Sequence, residues 1–303
     1  MFDYKKIVKS RRLRLTLLKF FSFIPDKLMV KVQYRIKTGH KLNLENPKRF
    51  TEKLQYYKLF YRDPLMKQCV DKYDVRQYIE SIGLAPILNE CYGVFDSADE
   101  VDFDKLPNQF VLKDTLGSGG NSVIICKDKS TANLDEYRSI MHKWTLSFTK
   151  KSASREWVYE GRKHRIIVEK FIDSDPEMGG LIDYKFFCFN GVFKYLYVIA
   201  DRKVGVKAGF GIYDENFKRL NAVRCDENPL KRIIKKPSNF DDLVKYAELI
   251  AAKFPEARID LYNQNGRILF GEITFFDGSG YMTFAPDDFD FEMGEKFVLP
   301  REC

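Results

Sequence analysis

The hydrophobic pattern of residues 257–274 constrains the fold more than any other part of the chain. Its first half, Ala-Arg-Ile-Asp-Leu-Tyr, alternates apolar and polar side chains, which is typical of a half-buried strand. Its second half, which follows Asn-Gln-Asn-Gly, places Glu272 and Thr274 on one face and Ile273 on the other. The stretch therefore predicts two antiparallel strands joined by a tight turn.

The register of this hairpin decides whether its polar faces coincide. A two-residue Asn-Gly turn would point Glu272 to the face away from Asp260. A three-residue Gln-Asn-Gly loop, with Gly266 in the left-handed conformation, would set Arg258 opposite Glu272 and Asp260 diagonal to it. We predict the second register, in which two carboxylates and an arginine converge. Carboxylate oxygens suit Mg²⁺, so a metal site is one interpretation and a surface hairpin with ordinary charges is the other.

Two glycine-containing loops are candidate anion sites. A predicted strand over residues 110–113 ends at Lys113 and leads through Asp-Thr-Leu-Gly-Ser-Gly-Gly-Asn-Ser into a second strand over 123–126. Such a flap can fold over phosphates, because glycine lets backbone N–H groups approach the oxygens while Lys113 supplies charge. It lacks the Gly-Lys-Ser/Thr ending of a Walker A loop, and a plain hairpin turn is the alternative. The second loop, Asp277-Gly-Ser-Gly280, has backbone amides that could also face an anion.

The first third of the chain carries two helix signals. Thr51 is a candidate N-cap for one helix. Asp71 begins another, which Gly83 ends, and Lys72 would lie in its first turn. A cation is unfavourable there unless it contacts an anion held at the helix N-terminus, and the alternative is a solvated lysine.

Strands and helices fill the rest of the chain. We predict a helix over residues 131–150 and strands over 165–172, 182–189 and 193–199, with Asn190-Gly191 as a hairpin turn. The following loop, 201–228, is long for a compact domain. Helices over 241–254 and 292–300 complete the predicted elements.

Composition narrows the classes of function. The 303 residues carry a formal net charge of +8, which favours anionic ligands or surfaces. No zinc-finger, helix-turn-helix or repeat signature supports nucleic acid as a partner. The six cysteines form no CxxC pair and only three histidines are present, so we expect reduced cytosolic thiols rather than a disulfide framework or a histidine-rich zinc site.

The N-terminus joins a basic run to an apolar one. Six lysines and arginines lie within residues 5–14, and the apolar stretch from Leu15 to Ile24 is too short to span a membrane. The sequence Ser22-Phe-Ile-Pro-Asp26 is a poor signal-peptide cleavage site. Residues 1–24 therefore form either a helix packed on the protein's own core or a basic amphipathic helix on an anionic membrane.

The order of these motifs resembles the ATP-grasp superfamily, and from about Asn43 to Pro300 the chain is similar to its teichuronopeptide-biosynthesis, or TupA-like, type. The runs that carry the resemblance are Asn46-Pro-Lys-Arg-Phe-Thr-Glu-Lys-Leu54, Lys105-Leu-Pro-Asn-Gln-Phe-Val-Leu-Lys113, Gly117-Ser-Gly-Gly-Asn121, Asp183-Tyr-Lys-Phe-Phe-Cys-Phe-Asn-Gly191, Arg258-Ile-Asp-Leu-Tyr262 and Gly271-Glu272. The resemblance implies an α+β fold that holds a nucleotide between two α+β subdomains. It divides the chain into a helical extension (1–42), an N-terminal subdomain (43–104), a small subdomain with the flap (105–172) and a C-terminal subdomain with the metal site (173–303).

The resemblance also implies roles for individual residues. The ATP phosphates would meet Lys72, Lys113 and the flap residues Gly117, Ser118, Gly119, Gly120 and Asn121. Adenine would meet Glu169 and the backbone of Lys170 and Ile172, and the ribose would meet Asp183. Mg²⁺ would be held by Asp260, Glu272 and Thr274. Arg258 would stabilise the developing oxyanion, and Lys185 would reach the phosphates or the incoming substrate. The acceptor or acyl group would be positioned by Gly278, Ser279 and Gly280. Thr274 departs from the asparagine usual in the superfamily, which implies that one metal is bound more weakly or not at all.

The implied function is an ATP- and Mg²⁺-dependent carboxylate–amine ligase with an acyl-phosphate intermediate. The family context implies bacterial surface-polysaccharide biosynthesis, with an amino acid joined to a hexuronic acid, in the cytoplasm or at the inner face of the plasma membrane. A glycosyltransferase is the alternative, although no Asp-x-Asp follows an apolar strand. A non-catalytic membrane scaffold would fit the basic N-terminus but leaves Lys113, Asp260 and Glu272 unexplained.

Overall fold

The computed structural model describes residues 21–117, 122–174, 180–201 and 208–300. Helices, a four-stranded sheet and a six-stranded sheet occur together in these ranges, which confirms the predicted α+β class. The helices are α1 (Asp26–Thr38), α2 (Phe50–Phe60), α3 (Pro64–Cys69), α4 (Val75–Ser81), α5 (Leu134–Thr145), α6 (Phe240–Ala251) and α7 (Asp288–Lys296). Among the described residues, no helix has the length and apolar character needed to cross a membrane.

The strands form two main sheets. They are β1 (Cys91–Phe95), β2 (Phe110–Asp114), β3 (Val123–Cys126), β4 (Ile166–Lys170), β5 (Asp183–Phe189), β6 (Val192–Ala200), β7 (Gly209–Asp214), β8 (Val223–Arg224), β9 (Asn228–Pro229), β10 (Glu256–Gln264), β11 (Arg267–Thr274) and β12 (Phe284–Ala285). The small sheet has the order β1-β4-β2-β3 and the large sheet the order β11-β10-β5-β6-β7-β9, while β12 pairs with β8. Except for the parallel contact of β7 with β9, neighbouring strands run antiparallel.

The large sheet is covered on both faces, by α6 on one and by α2 on the other. On one face α6 packs across β5, β6 and β10, and the ring of Phe240 lies 6.1 Å from that of Phe186. Because side chains alternate along a strand, Phe187 points to the opposite face, where it meets Phe50 of α2 at 5.9 Å. Lys185, two residues before Phe187, therefore lies on the face away from α6, together with its cross-strand neighbour Asp260.

The turn of the β10–β11 hairpin differs from our prediction. Asn265 and Gly266 have φ values of 51° and 88°, and Gln264 pairs directly with Arg267, so the turn has two residues rather than three. Continued regularly, this register would turn Glu272 away from Asp260. The predicted three-residue loop is wrong.

A β-bulge brings the two carboxylates together instead. Leu261 pairs with Phe270, whereas Asp260 pairs with Glu272, so Gly271 is the extra residue on β11. The bulge shifts the register by one residue, which returns Glu272 to the face of Asp260. Arg258 consequently lies opposite Thr274. Our prediction that Arg258 would lie opposite Glu272 is wrong.

Two predictions in the first third of the chain are also wrong. Thr51 does not cap α2, which begins at Phe50; its hydroxyl donates to Asp290 at 2.7 Å. Lys72 precedes its helix, because α4 begins at Val75 and not at Asp71. Asp71 instead accepts the backbone N–H groups of Tyr73 and Asp74, at 2.9 and 3.0 Å, which shapes the turn before the helix.

Later in the chain, several boundaries move. The region 201–228 is not one loop, since it contains β7 and the short β8. The last helix runs from Asp288 to Lys296, four residues earlier than the predicted 292–300. The strand 123–126 and the Asn190-Gly191 turn, with φ values of 51° and 78°, are confirmed.

The small sheet has a hydrophobic core of its own. Met141 and Trp144 of α5 pack with Phe110 of β2 and Val168 of β4. Strand β1, which precedes residue 105, belongs to this sheet. The division of the chain at residues 43, 105 and 173 stays a prediction.

Candidate active site

Three predicted site residues converge on the face of the β10–β11 hairpin that points away from α6. Asp260 and Glu272 face each other across the two strands. Arg258 lies on the same face two residues before Asp260, and its Nε and Nη2 each donate to one Asp260 oxygen at 2.8 Å. Its Nη2 also reaches Oε1 of Glu272 at 3.3 Å, which is the longest contact of this guanidinium.

Strand β5 adds a buried lysine to this cluster. The ammonium of Lys185 donates to Oδ2 of Asp260 and lies 2.8 Å from Oδ2 of Asp183. Burial alone would lower the pKa of Lys185, but the charges of Asp183 and Asp260 raise it above its ordinary value. Lys185 therefore remains an ammonium at neutral pH.

The two carboxylates of the cluster differ in access. The side chain of Asp260 is 1% exposed, whereas that of Glu272 is 40% exposed. Burial raises the pKa of Glu272, but the charges of Lys72, Lys185 and Arg258 outweigh it and lower the pKa below its ordinary value. Glu272 is thus an ionised carboxylate that a ligand can reach.

Two further charged residues complete the cluster, and our sequence reasoning did not assign them to the site. Asp277 is buried and accepts hydrogen bonds from Nη1 of Arg258 and, at 3.0 Å, from Nη1 of Arg224. Burial raises the pKa of Asp277, yet Arg224 and Arg258 lower it below its ordinary value. The signal was present in the sequence, since Asp277 directly precedes the glycine loop.

A small cavity, of about 10 Å³, brings together three of the predicted nucleotide-binding residues. Lys72, Lys113 and Glu169 line it together with Phe270 and Gly271. Nζ of Lys113 donates to Oε2 of Glu169 at 2.5 Å. Because Gly271 belongs to this cavity and the next residue is Glu272, the cavity lies directly beside the carboxylate cluster.

Lys170 and Ile172 were predicted to meet adenine through their backbone groups. The side chain of Lys170 is exposed and pairs with Glu90 at 3.1 Å. Its backbone N–H donates to the Glu90 carbonyl at 2.9 Å, and its carbonyl accepts from Nδ2 of Asn89 at 2.8 Å. Ile172 follows β4 and is half-buried. The backbone of Lys170 is therefore already hydrogen-bonded within the protein.

Lys72, which was predicted to contact the ATP phosphates together with the flap, is hydrogen-bonded to the base of the flap. The ammonium of Lys72 donates to the carbonyl of Gly117, and its backbone N–H donates to the carbonyl of Thr115 at 2.9 Å. The N–H of Asp114 donates to the Ser122 carbonyl at 3.1 Å, which closes the flap at its base. The predicted flap residues 118–121 lie outside the described residues.

Residues 277–280, which we call the acceptor loop after their predicted role, turn sharply. Gly278, Ser279 and Gly280 have φ values of 50°, 57° and 69°. The N–H of Ser279 donates to the Phe276 carbonyl at 2.8 Å, so this amide is hydrogen-bonded within the loop. We had expected it to face an anion. The Ser279 hydroxyl donates to Oε1 of Glu156 at 2.5 Å.

Helix α2 holds the acceptor loop in place. Nε2 of Gln55 donates to the carbonyls of Ser279 and Gly280 at 3.0 and 2.6 Å, and Nζ of Lys58 donates to the Ser279 carbonyl at 2.9 Å. Lys58 is 1% exposed, and this burial lowers its pKa to about 7. Sequence reasoning missed both residues, because nothing in their spacing connects α2 with a loop more than 200 residues later.

A larger cavity, of about 1070 Å³, adjoins the acceptor loop. Its lining includes Gly117 and Ser122 at the flap base, and also Glu156 and Tyr159. Burial, together with the charges of Glu156 and Glu272, raises the pKa of Tyr159 above its ordinary value. Its volume is at the upper end of the range that is typical of small-molecule pockets.

The carboxylates fit Mg²⁺ in their chemistry and their number. Mg²⁺ is usually bound through one or two carboxylates together with substrate phosphates, and Asp260 and Glu272 supply such a pair. Within the described ranges, no group of three or more His, Cys, Asp or Glu side chains is arranged to hold a metal ion. Thr274 pairs with Arg258 across the hairpin, two residues from Glu272 on the same face of β11.

Comparison with known proteins identifies a family. The model of the family described as TupA-like ATPgrasp matches residues 52–298. No curated protein matches the chain. Among solved structures, a D-alanine–D-alanine ligase from Bacillus anthracis is similar at 18% identity over 69% of this chain and 57% of its own, with a TM-score of 0.44.

Two further structures give comparable values. The D-alanine–D-alanine ligase from Helicobacter pylori has 13% identity over 77% of this chain and 60% of its own, with a TM-score of 0.42. The N5-carboxyaminoimidazole synthetase from Staphylococcus aureus has 11% identity over 68% of this chain and 44% of its own, with a TM-score of 0.41. The chain thus spans about half the length of the structures that it matches, and we draw no functional conclusion from these similarities.

Proposed function

Since the chain belongs to the TupA-like ATP-grasp family, we propose that it is an ATP-dependent carboxylate–amine ligase. One observation carries the proposal beyond the family. The cavity lined by Lys72, Lys113 and Glu169 includes Gly271, and the adjacent Glu272 faces Asp260. The cavity, at about 10 Å³, is far smaller than a nucleotide, so ATP would have to part these side chains, and its phosphates would then lie next to the carboxylate cluster.

The first step activates the carboxylate substrate. One carboxylate oxygen attacks the γ-phosphorus of ATP, the bond to the β–γ bridging oxygen breaks, and ADP leaves. Both reactants are anionic, so the protein must offset their repulsion. Lys72 and Lys113 line the small cavity beside Gly271, and Lys185 of β5 remains an ammonium. We assign these three cations to the phosphates and to the incoming carboxylate.

The second step forms the amide. The amine attacks the carbonyl carbon of the acyl-phosphate, negative charge develops on the carbonyl oxygen, and the C–O bond to phosphate then breaks while the nitrogen loses a proton. Arg258 can stabilise that oxygen. Its hydrogen bond to Glu272, at 3.3 Å, is its longest and therefore its weakest, so the guanidinium can replace this bond by one to the oxyanion. Asp260 and Asp277 hold the rest of the guanidinium in place.

Mg²⁺ completes the proposal as a cofactor. Asp260 and Glu272 would hold it, with Thr274 as a weaker neighbour, and when bound it supplies charge neutralisation for the ATP phosphates. Asp260 already accepts hydrogen bonds from Arg258 and Lys185. The more exposed Glu272 is therefore the carboxylate that we expect to bind the metal first.

The substrates are proposed from the family resemblance. We propose an amino acid and a hexuronic acid of a bacterial surface polysaccharide as the two substrates, joined in the cytoplasm. The acceptor would occupy the larger cavity, beside Gly278, Ser279 and Gly280. Contact of residues 1–24 with the inner face of the plasma membrane stays a prediction, because residues 1–20 lie outside the described residues.

The test measures nucleotide products. Purified protein with ATP and Mg²⁺ is screened against panels of uronic acids and amino acids, and ADP release is followed. ADP release that requires both a carboxylate and an amine, and that Asp260→Asn abolishes, supports the ligase. Asp241→Asn is the matched control, since that side chain is 99% exposed. Release of UDP from sugar nucleotides without ADP would instead identify a glycosyltransferase and overturn the proposal.

A further inference from the structure

Helix α1 exposes a row of apolar side chains that the fold does not use. Its buried face, with Met29, Val30 and Tyr34, packs on the protein. On the outside, Leu28, Val32 and Ile36 are 54%, 47% and 41% exposed. Their spacing of four residues places them in one continuous stripe along the helix.

A basic row runs beside this stripe. Lys27, Lys31 and Arg35 are exposed and follow the same four-residue spacing, one position earlier. Lys27 and Lys31 also line a groove of about 900 Å³ together with Lys41, and the one acidic side chain in that lining is Glu45. The groove therefore carries a net positive charge next to exposed apolar surface.

Further exposed apolar side chains lie on two segments next to the helix. Phe21 and Phe23, just before α1, are exposed, and so are Leu146 and Phe148 in the segment after α5. The two segments are joined, because Lys151 pairs with Asp26 at 2.7 Å and Nη2 of Arg155 donates to the Phe21 carbonyl at 3.0 Å. Phe23, Leu146 and Phe148 all line the larger cavity of the site.

We propose that this surface binds an anionic lipid bilayer. We call it the membrane face and define it by Phe21, Phe23, Leu28, Val32, Ile36, Leu146 and Phe148 with the basic residues Lys27, Lys31, Arg35 and Lys41. An apolar stripe flanked by a basic row is typical of helices that lie in a membrane interface, where apolar burial and attraction to anionic headgroups act together.

Two observations select an anionic bilayer as the partner. The basic groove offers charge complementarity to lipid phosphates. The sequence that leads into Phe21 adds six further lysines and arginines within residues 5–14. In this orientation the cavity residues Phe23 and Phe148 face the lipid, so one wall of the larger cavity lies at the bilayer surface.

The experiment uses the full chain and measures co-sedimentation with phosphatidylglycerol vesicles, with phosphatidylcholine vesicles as the uncharged comparison. The triple variant Leu28→Ser, Val32→Ser, Ile36→Ser is expected to bind at least tenfold more weakly, as is Lys27→Glu with Lys31→Glu. The matched controls, Ile233→Ser with Leu249→Ser and Lys235→Glu with Lys245→Glu, change exposed residues elsewhere and are expected to bind like the wild type.

A second measurement does not depend on losing an interaction. In Val32→Trp, the new indole is expected to be quenched by brominated phosphatidylglycerol, whereas in Ile233→Trp it is not. Vesicle binding that is unchanged in both surface variants would place the interaction in residues 1–20 alone and overturn the proposal. A wild-type dimer that the triple variant dissociates, without vesicle binding by the wild type, would overturn it in favour of a second copy. ADP release from soluble substrates is independent of these outcomes, so this proposal and the ligase can fail separately.

Discussion

Replacing Gly271 by alanine tests whether the β-bulge positions the two carboxylates that we propose as metal ligands, Asp260 and Glu272. A Cβ at this position would lie 2.9 Å from the carbonyl oxygen of Asp260 and 3.2 Å from Cε2 of Tyr262. The carbonyl belongs to the strand that carries Arg258 and Asp260, so relief of the clash must move β10 against β11. We expect Gly271→Ala to separate Glu272 from Asp260 by a few tenths of an ångström and to distort the adjoining nucleotide cavity.

The expected magnitude follows from the contacts involved. Overpacking of this kind costs about 1–3 kcal/mol of unfolding free energy. Weakening one charge-assisted contact to a phosphate costs about 1.5–3 kcal/mol, which corresponds to roughly 10–150-fold in affinity. Urea unfolding measures the first quantity, and calorimetric titration with ATP and Mg²⁺ measures the second without requiring the identity of the other substrates.

Gly266→Ala is the matched control in the same hairpin. Gly266 has a φ of +88°, and no other group lies within 4 Å of the position that a Cβ would occupy there. Alanine at this position therefore costs about 1–2 kcal/mol through backbone strain and leaves the bulge intact. We expect this variant to lose stability but to bind ATP like the wild type. If Gly271→Ala binds ATP with wild-type affinity, or if both variants weaken binding equally, the positioning role of the bulge is refuted.

Three further predictions concern single lysines and the arginine. Lys113→Ala should weaken ATP binding by about 1.5–3 kcal/mol through loss of a charge-assisted contact, whereas the exposed Lys105→Ala should not; equal affinities of the two variants in a titration would contradict this role. Arg258→Lys should lower kcat more than it raises KM, because lysine keeps the charge but loses the planar fork, and an unchanged kcat in the ADP-release assay would exclude Arg258 from the transition state. Burial lowers the pKa of Lys58 to about 7, so between this value and the ordinary 10.5 the unfolded chain binds more protons than the folded one. Wild-type stability should therefore rise relative to Lys58→Met from about pH 7 to pH 10, by at most ~1.4 kcal/mol per pH unit, and a pH-independent difference in urea unfolding would contradict the shift.

Local sequence patterns predicted the elements of the sheets well. The strands that we predicted over 182–189 and 193–199, on either side of Asn190-Gly191, correspond to β5 and β6, and the predicted strand 123–126 agrees with β3. Helix boundaries were less accurate, because caps depend on distant partners. Thr51 illustrates this, since its hydroxyl is used by Asp290, and no local rule connects residues so far apart in the chain.

The sequence by itself indicated the hairpin residues of the candidate site, because the family motifs lie in short runs such as Arg258-Ile-Asp260 and Gly271-Glu272. It could not determine how those residues meet. The Asn-Gly turn alone would have separated Asp260 from Glu272, and only the bulge at Gly271 returns them to one face.

The tertiary structure also decided which partners hold the site. Asp277 anchors Arg258, and Gln55 and Lys58 fix the acceptor loop across more than 200 residues of sequence. Such contacts form when α2 packs against the sheet. The physical reason is that strand periodicity is a local property of the chain, whereas bulges, buried ion pairs and loop anchors depend on which surfaces the folded chain brings together.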